Sequence, residues 1–404
     1  MKRTSRCLLA RPDSSASETV LLTGATGFVG RELLWRLARR PRDRVVCLLR
    51  AKDDADADAR LARVLDHAQP EALTAEQKSR VTALRGDLTQ DDLGLSPRQR
   101  NELAGTVTRV IHDAATVDWA TPLETAREIN VEGTRRVVEL AKLAQSHGVL
   151  LRFDYISTCH VCGRRRGRVP EESLDDGYGF FNHYERSKFE AERLVRASGL
   201  PFATFRLSSV VGDSRTGFSS TFKVMYWPLK MLSRGMAWAV PADRRGIVDI
   251  VPVDYVCDAL EAISAEPSQR GKTFHLAAGP DYSSTVGDLL DLGVKSFRVR
   301  PPLLVSPSLF FYTMRPLLYL VTWGKRREML RKGRVYVPYF SFRAAFDTSV
   351  ARGVLDPGGL RPPLVQEYFQ KLIDYAIASD WGKREPGRSA IAGTQSGSEQ
   401  TETP

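Results

Sequence analysis

Three side chains near the middle of the sequence, Thr158, Tyr184 and Lys188, could together reduce a carbonyl group. A tyrosine alone is a poor acid at neutral pH, because its reference pKa is about 10. Tyr184 and Lys188 lie four residues apart and share one face of a helix, where the ammonium would lower the pKa of the phenol. The hydroxyl of Thr158, or of its neighbour Ser157, follows a predicted strand and could hold the substrate carbonyl. The three residues therefore predict proton donation to a carbonyl oxygen.

A glycine-rich turn earlier in the chain predicts a dinucleotide site. Residues 20–22 form a short apolar run typical of a buried strand, and residues 31–37 carry apolar side chains at helical spacing. Between them, Gly24 and Gly27 would let the backbone turn tightly and approach a pyrophosphate, and Gly30 would let the helix pack close to the strand. The N–H groups at the start of the helix would bind the phosphates. An ordinary turn is the alternative interpretation.

Residues after the next strands extend this predicted site along the cofactor. About 20 residues past the glycines, an NAD-dependent enzyme usually carries an acidic residue that binds the ribose hydroxyl. This sequence has Arg50 at that position, and Arg60 follows one short helix later. Two guanidinium groups suit a 2′-phosphate, so we expect NADPH; an exposed arginine at a strand end is the alternative. Asp87 could reach the adenine amine. The small side chains of Ala114 and Ala115 would let the cofactor lie close to the backbone.

The elements that must position these residues alternate between strands and helices. Apolar runs predict further strands at residues 44–50, 81–84, from 109, 150–156, 202–207 and 272–277, and residues 246–251 are interpreted as the return of the chain to the main domain. One long amphipathic helix is predicted from Pro122 to Ala144, and another carries Tyr184 and Lys188. Alternation of this kind specifies an α/β fold with a Rossmann-type, doubly wound parallel sheet.

The chain is long enough, at 404 residues, to bury a sizeable core and to hold more than one region. We expect a flexible N-terminal arm at residues 1–18 and a cofactor-binding domain at residues 19–280, with a substrate insertion at about residues 212–246. A smaller, mostly helical substrate or lid region would follow at residues 281–383. The tail, residues 384–404, is rich in Ser, Gly, Thr and Glu and is predicted to be disordered.

The apolar segment 303–324 is nearly long enough to span a membrane, but Arg315 and two prolines interrupt it. A helical lid over an apolar pocket, or a segment lying at a membrane interface, is therefore favoured over a membrane span. The basic run 325–334 is typical of a solvated helix face, and beside an apolar lid it could also guide phosphate-bearing substrates or anionic lipid. Peripheral membrane contact through residues 303–334 is thus left open.

The composition is that of a globular protein with an anionic partner. A formal net charge of +11, from 59 basic and 48 acidic side chains, favours a phosphorylated cofactor, an acidic carrier protein or a membrane surface. No nucleic-acid-binding motif accompanies the charge. The segment Cys159–Cys162 has the spacing of a redox or metal site, but without a second such pair we expect no metal. The apolar run 7–10 is too short for a signal peptide, so a cytoplasmic protein is expected.

From Val20 to about Ala278 the chain resembles an extended short-chain dehydrogenase/reductase. Within that superfamily it is similar to the reductase domains of thioester reductases, carboxylic acid reductases and fatty acyl-CoA reductases. The segments that carry the resemblance are Thr23–Gly30, Cys47–Asp54 with Arg60 and Leu61, Gly86–Leu88 with Leu93–Ser96, His112–Val117, Ile129–Thr134, Tyr184–Glu192 and Asp249–Asp254. Sugar-nucleotide and sterol enzymes share the same skeleton.

The resemblance implies a role for each matching residue. Thr158, Tyr184 and Lys188 would be the catalytic residues. Arg50 and Arg60 would hold the 2′-phosphate of NADPH. The other residues expected to line the cofactor are Thr23, Gly24, Thr26, Gly27, Phe28, Val29, Gly30, Asp87, Leu88, Ala114, Ala115, Asn130, Ser157 and again Lys188.

By that resemblance the expected reaction is the NADPH-dependent reduction of an acyl thioester, carried by CoA or an acyl carrier protein, to an aldehyde, with further reduction to an alcohol left open. The family often has proline after the residue matching Arg206, and Leu207 at this position would reshape the nicotinamide edge. Because the sequence carries no adenylation or carrier segment, we expect a separate molecule to deliver the thioester. Two alternatives stay open: a dehydrogenase or epimerase acting on a sterol or sugar nucleotide, and a non-catalytic NADPH-binding sensor or scaffold.

Overall fold

The computed structural model describes residues 17–66, 71–222, 225–236, 239–306, 309–314, 319, 323–324, 327 and 337–384. Its strands are, in chain order, β1 (Thr19–Thr23), β2 (Arg44–Leu49), β3 (Val81–Arg85), β4 (Arg109–His112), β5 (Arg152–Thr158), β6 (Gly167–Val169), β7 (Phe202–Leu207), β8 (Ser209–Val211), β9 (Ala239–Pro241), β10 (Ile247–Val248), β11 (Ile250–Pro252), β12 (Thr273–Leu276), β13 (Ser284–Thr285), β14 (Leu303–Val305) and β15 (Ala344–Phe346). The helices named below are α1 (Phe28–Ala38), α2 (Asp54–Asp66), α3 (Ala75–Ser79), α4 (Pro97–Ala104), α5 (Leu123–Arg127), α6 (Gly133–Ser146), α7 (His183–Arg196), α8 (Tyr226–Ser233), α9 (Val253–Ser264), α10 (Gly279–Tyr282), α11 (Val286–Phe297), α12 (Ser349–Leu355) and α13 (Val365–Ala378). The predicted N-terminal arm and C-terminal tail lie almost wholly outside the described residues.

A seven-stranded sheet forms the centre of the fold, in the order β12-β7-β5-β4-β1-β2-β3. Every pairing in it is parallel, so the predicted doubly wound α/β architecture is confirmed. The strand order reverses beside β1, which pairs with β4 on one side and with β2 on the other. Open parallel sheets bind ligands at the carboxyl ends of their strands, next to such a reversal. The sheet therefore brings the ends of β1, β2 and β4 to one crevice.

The central strand β1 is covered on both faces, which explains its unbroken apolar run. Val20, Leu21 and Leu22 are all 0% exposed. Val20 and Leu22 pack into a cluster with α1, α2, α9 and α12, and Leu21 packs into the opposite cluster with α6 and α7. Strands of a parallel sheet with helices on both faces have this pattern.

The turn between β1 and α1 contains two glycines whose positions admit no side chain. Gly24 has a φ of +81°, and a Cβ there would lie 2.7 Å from the backbone nitrogen of Ala114. A Cβ on Gly30 would lie 2.1 Å from the carbonyl oxygen of Gly24. The start of α1 therefore packs directly onto its own turn, and the turn packs onto the loop after β4.

The predicted helix from Pro122 to Ala144 is interrupted, because a π-helical turn at Glu128–Glu132 separates α5 from α6. Next to this turn the Thr134 hydroxyl donates to the carbonyl oxygen of Asn130 at 2.6 Å. Side-chain hydrogen bonds of this kind compete with the regular backbone ladder, and π turns often occur at functional sites. The amphipathic pattern continues through the turn, so the sequence gives no sign of it.

The chain after β12 packs onto elements on both sides of residue 280. β15 pairs with β6, and β14 pairs with β9 of the predicted insertion. Ala351 and Leu355 of α12 join the core beneath the central sheet, whereas Leu372 of α13 packs in a separate cluster with α8 and α11. The predicted domain boundaries stay predictions.

The apolar segment 303–324 begins as a strand, because residues 303–305 pair with residues 239–241, and a helical turn follows at Phe310–Met314, so the predicted helical lid stays a prediction. Most of this segment and most of the basic run 325–334 lie outside the described residues. The predicted contact with a membrane therefore stays a prediction. Across the described ranges, no helix is both long enough and apolar enough to cross a bilayer.

The close packing at Gly30 predicts that Gly30→Ala will destabilise the protein by about 1–3 kcal/mol, because the new methyl group overlaps the Gly24 carbonyl. The matched control is Gly353→Ala in α12, where a Cβ meets nothing within 4 Å. That change should stabilise the helix by about 0.5–1 kcal/mol. Urea unfolding of both variants measures the two effects, and equal stabilities would contradict the packing argument.

Candidate active site

The structure brings two of the predicted catalytic side chains into contact. Thr158 ends β5 and is 5% exposed, while Tyr184 is half-buried in the first turn of α7. The Thr158 side chain lies close enough to the Tyr184 hydroxyl to lower the pKa of that phenol. A carbonyl oxygen placed between the two hydroxyls would therefore meet two donors.

Lys188 lies one turn after Tyr184 and is held against β5. Its ammonium donates a hydrogen bond to the carbonyl oxygen of Ile156 at 2.7 Å and lies 4.3 Å from the centre of the Tyr155 ring. Burial lowers the pKa of Lys188 to about 8, although the carboxylates of Asp113 and Glu192 oppose that shift. The ammonium is thus fixed beside the strand end that carries Thr158.

The expected lowering of the Tyr184 pKa by Lys188 is not seen. Burial raises the pKa of Tyr184 above its ordinary value, and the nearby Asp113 and Glu185 carboxylates raise it further, whereas the nearby Thr158 side chain lowers it. In this structure Tyr184 is a neutral phenol at physiological pH. A protonated phenol is the form that can donate a proton to a reduced carbonyl oxygen.

Behind the catalytic residues lies a fully buried ion pair between Glu192 of α7 and Arg206 of β7. The two side chains are 0% exposed, and their closest N–O distance is 2.8 Å. Burial alone would raise the pKa of Glu192, but the charges of Arg206 and Arg196 and the hydrogen bonds to the carboxylate together outweigh burial, and the pKa lies below its ordinary value. The Ser157 hydroxyl donates to the same carboxylate at 2.7 Å. Ser157 is thus engaged within the protein, and its predicted contact with the cofactor stays a prediction.

Arg206 precedes Leu207, the position at which the sequence departs from the family pattern. The guanidinium of Arg206 lies in the interior of the protein. Besides Glu192, it donates to the carbonyl oxygens of Glu171 at 3.1 Å and Ser173 at 2.7 Å. The guanidinium therefore joins β7, α7 and the segment between β6 and α7.

The first turn of α1 fits a bound pyrophosphate. Gly27 is the N-cap residue, and its N–H donates to the Gly24 carbonyl at 2.8 Å. Thr26 lies just before the helix, Phe28 and Val29 open it, and the first turn has no acidic side chain. The amides of such a turn bind anions, so the residues present fit a dinucleotide.

The end of β4 is tied to the glycine turn by a short chain of hydrogen bonds. The Thr23 hydroxyl lies 2.7 Å from His112 Nδ1, and it accepts a hydrogen bond from the backbone N–H of Ala114 at 3.2 Å. His112 Nε2 lies 2.9 Å from the Thr134 hydroxyl. Burial and then the charge of Lys188 lower the pKa of His112 to about 3. His112 is therefore a neutral packing residue that fixes Thr23 and, through it, the backbone before Ala115.

Asn130 bonds within the protein on both ends of its amide. Its Oδ1 accepts from the backbone N–H of Thr116 at 2.8 Å, and its Nδ2 donates to the Thr116 carbonyl and to the Ser187 hydroxyl of α7. The π-helical turn thus links the loop after β4 to the catalytic helix. The predicted cofactor contact of Asn130 stays a prediction.

The residues predicted to hold the adenosine end lie around the carboxyl ends of β2 and β3. Arg50 is exposed, and within the described ranges its guanidinium makes no ion pair. Arg60 Nε is bonded to Asp56 at 3.0 Å, so this second guanidinium is already partnered. One Asp87 oxygen accepts from the Thr89 N–H at 2.9 Å and from its hydroxyl at 2.8 Å. Leu88 packs over Gly133. A Cβ added to Gly133 would lie 3.0 Å from the Cβ of Leu88.

An apolar cavity of about 130 Å³ adjoins the predicted catalytic residues. His160, two residues after Thr158, forms part of its wall. The other side is built from distant parts of the chain, among them Leu229 of α8, Leu289 of α11 and Phe342. The sequence predicts an apolar pocket near a lid, but it does not identify these lining residues.

An aromatic cluster separates the cavity from the catalytic helix. Trp119 and Tyr339 stack with ring centres 4.5 Å apart, and His160 meets Tyr339 edge-on at 5.3 Å. The Tyr339 hydroxyl donates to the carboxylate of Glu185, the neighbour of Tyr184, and accepts from Asn182. No sequence signal connects these residues, because Tyr339 lies more than 150 positions from the helix that it contacts.

The chain matches, over residues 22–260, the family model described as Male sterility protein. This match covers more than half of the sequence. The chain belongs to the male sterility protein family. Both the resemblance to extended short-chain dehydrogenase/reductases and the fold are thereby confirmed.

One relative of this chain is an isonitrile lipopeptide synthase of Streptomyces coeruleorubidus, which is 33% identical over 282 residues. The aligned region covers 68% of this chain and 18% of the relative. The carboxylic acid reductase of Mycobacterium marinum is 30% identical over 303 residues, which are 68% of this chain and 25% of the relative. The chain thus spans only a small part of the length of these curated relatives.

Among solved structures, the terminal R domain from the myxalamid PKS-NRPS biosynthetic pathway is similar, with a TM-score of 0.76, 27% identity, and coverage of 93% of this chain and 94% of that chain. A UDP-glucuronic acid 4-epimerase from Bacillus cereus in complex with NAD shares the fold, with a TM-score of 0.62, 18% identity, and coverage of 90% and 98%. The family match and the R-domain likeness together place the chain among NAD(P)-dependent oxidoreductases, whereas the epimerase likeness shows the fold alone.

The segment Cys159–Cys162 of this family member packs in the interior. The Cys159 thiol donates to the carbonyl oxygen of Arg206 at 3.2 Å, and burial raises its pKa well above the ordinary value. Cys162 is 7% exposed, and burial raises its pKa to about 12. A thiol that keeps its proton is a poor nucleophile and metal ligand. The described residues hold no cluster of three side chains that could bind a metal.

The buried ion pair predicts a large loss of stability in the variant Arg206→Leu. Removing the guanidinium leaves the buried Glu192 carboxylate with only the partly exposed Arg196 as a charged partner, so the free energy of unfolding should fall by about 3 kcal/mol. Urea unfolding measures it, and the matched control Arg98→Ala, which breaks the exposed pair Arg98–Glu102, should leave stability unchanged. The double variant Arg206→Leu with Glu192→Leu should recover much of the loss; no recovery would contradict a charge effect.

Proposed function

We propose that this protein reduces an acyl thioester with NADPH and releases an aldehyde and a free thiol. The observation that carries the proposal is the contact between Thr158 and Tyr184 beside the apolar cavity. An acyl group held in that cavity would present its thioester carbonyl to the two hydroxyls. The relatives named as a carboxylic acid reductase and as the R domain of a biosynthetic pathway support the same class of reaction.

The chemistry follows from the two hydroxyls and their surroundings. A bound nicotinamide would supply the hydride to the carbonyl carbon. Tyr184 would give its proton to the carbonyl oxygen, and the Thr158 hydroxyl would hold that oxygen in place and stabilise its developing charge. Collapse of the resulting hemithioacetal breaks the carbon–sulfur bond and releases aldehyde and thiol. Lys188 would stabilise the tyrosinate that remains until solvent returns the proton.

The carrier of the thioester is proposed from charge and from the relatives. The net charge of +11 favours an anionic carrier, either CoA or an acidic carrier protein. The archaeal thiolation-reductase di-domain has the same fold, with a TM-score of 0.70 and 22% identity, which supports the fold alone. Together with the synthase relative, the charge favours a carrier protein as the partner.

A sterol or sugar-nucleotide substrate is the second candidate. Epimerases share the fold, but the cavity wall is almost entirely apolar. A sugar nucleotide would leave its hydroxyl groups without hydrogen-bond partners there, at a substantial free-energy cost. A sterol would fit the same wall, so the substrate has to be settled by assay.

The test is NADPH oxidation with acyl-CoAs of increasing chain length, with the same acyl groups on a phosphopantetheinylated carrier protein, with a sterol ketone and with a sugar nucleotide. Free thiol and trapped aldehyde are quantified alongside. Equal amounts of thiol, aldehyde and oxidised cofactor support the proposal. Turnover of the ketone or the sugar nucleotide without thioester turnover would overturn it, and an alcohol product would show a second reduction.

Replacing the proton donor should abolish turnover but not cofactor binding. Tyr184→Phe removes one hydroxyl group, so we expect turnover to fall by roughly 100-fold or more, with the dissociation constant of NADPH nearly unchanged. Tyr178→Phe is the matched control, because Tyr178 is 46% exposed and lies outside the site. Surviving turnover in Tyr184→Phe would contradict the assigned role.

The proposed preference for NADPH depends on Arg50. Arg50→Ala removes a charge expected to meet the 2′-phosphate, so NADPH binding should weaken by roughly 10-fold or more and NADH binding should change little. Fluorescence titration of both cofactors measures the difference. Arg60→Ala should have a smaller effect, because Arg60 is already bonded to Asp56. Equal losses for both cofactors in Arg50→Ala would count against the role.

A further inference from the structure

Asp113 brings a carboxylate into the crevice that the dinucleotide must enter. It directly follows β4, and its backbone N–H donates to the Thr23 carbonyl at 3.3 Å. One of its carboxylate oxygens lies 3.8 Å from the position that a Cβ of Gly27 would take. Asp113 is also near enough to the backbone N–H of Gly30, in the first turn of α1, for that group to lower the pKa of its carboxyl.

The carboxylate thus lies beside the turn expected to bind the pyrophosphate. The first turn of α1 offers a few N–H groups and the positive end of the helix dipole. A pyrophosphate bound there would lie beside Asp113, and two anions in a partly buried crevice repel each other. The protonated carboxyl group has no charge and can donate a hydrogen bond to a phosphate oxygen. Binding of the pyrophosphate therefore favours the protonated form of the Asp113 carboxyl group.

The groups that face Asp113 come from three elements. From α7, the Lys188 ammonium lowers the pKa of Asp113, and the Tyr184 phenol is neutral. From α1, the Gly30 N–H lowers it too. On β4, His112 is held neutral. Burial outweighs these contributions and raises the pKa of Asp113 to about 7.

We propose that the carboxyl group of Asp113 takes up one proton from solvent when the nicotinamide dinucleotide binds, so that cofactor affinity is set by pH through this residue. The inference rests on the nicotinamide cofactor and not on thioester reduction. A failure of the proposed thioester reduction would therefore leave this inference untouched, and the reverse also holds.

The direction of the pH dependence follows from linkage. A bound anion raises the pKa of Asp113 further, so affinity is greatest below the pKa of the free protein and falls as the pH rises through it. With a free pKa of about 7, NADPH affinity should fall by roughly tenfold between pH 6.5 and pH 8.5. The ammonium of Lys188, with a pKa of about 8, contributes in the same direction, so a variant must separate the two groups.

The experiment is calorimetric titration of the full chain with NADPH and with NADH at pH 7.5, in two buffers that differ in ionisation enthalpy. The difference in observed heat gives the number of protons taken up. NADH lacks the 2′-phosphate, whose own titration lies near pH 6. We expect the wild-type protein to take up a sizeable fraction of a proton with either cofactor. No uptake by the wild-type protein would overturn the proposal without any variant.

The matched variant is Asp113→Asn, which keeps the size and hydrogen bonding of the side chain but cannot titrate. Its proton uptake at pH 7.5 should fall to the smaller part that Lys188 contributes, and it should bind NADPH roughly tenfold more tightly than the wild type at pH 8.5 and about equally at pH 6.5. Circular dichroism confirms that it is folded. If the variant keeps the wild-type pH profile and proton uptake, Lys188 is the group that titrates and the proposal is wrong.

Discussion

The buried ion pair between Arg206 and Glu192 supports the whole catalytic geometry. Neither side chain contacts solvent, and removing one partner would leave a charge in a low-dielectric interior. Glu192 lies one turn beyond Lys188 on α7, and it also accepts a hydrogen bond from Ser157, the neighbour of Thr158. A single carboxylate therefore fixes the helix that carries Tyr184, the proposed proton donor, against the strand that carries Thr158. Strong pairing at this point keeps two elements in register that share no backbone hydrogen bonds.

Burial has opposite effects on the acids and bases in front of this pair. It lowers the pKa of Lys188 to about 8 and raises that of Asp113 to about 7, because a low dielectric disfavours either charge. The same desolvation keeps Tyr184 protonated. A crevice with these properties is poised for proton transfer near neutral pH, and a bound anion would shift its balance.

Polar and apolar binding surfaces meet at the catalytic hydroxyls. The crevice at the strand ends offers backbone amides and a guanidinium group, whereas the cavity beyond His160 is lined by aliphatic and aromatic side chains. Tyr339 joins the two, since it forms part of the cavity wall and hydrogen-bonds to Glu185 beside the proton donor. This division suits a charged cofactor on one side and an apolar acyl group on the other.

The sequence by itself determined the parallel sheet, the glycine turn and the pairing of Tyr184 with Lys188, because these depend on local spacing: two glycines that admit no side chain, and a separation of one helical turn. It could not place Tyr339 beside α7 or identify the cavity wall, because those contacts join segments far apart in the chain. The direction in which the pKa of Tyr184 shifts also depends on tertiary structure. Spacing places the ammonium one helical turn from the phenol, but the burial that raises the pKa of Tyr184 arises only when the sheet, α7 and the C-terminal segment pack together.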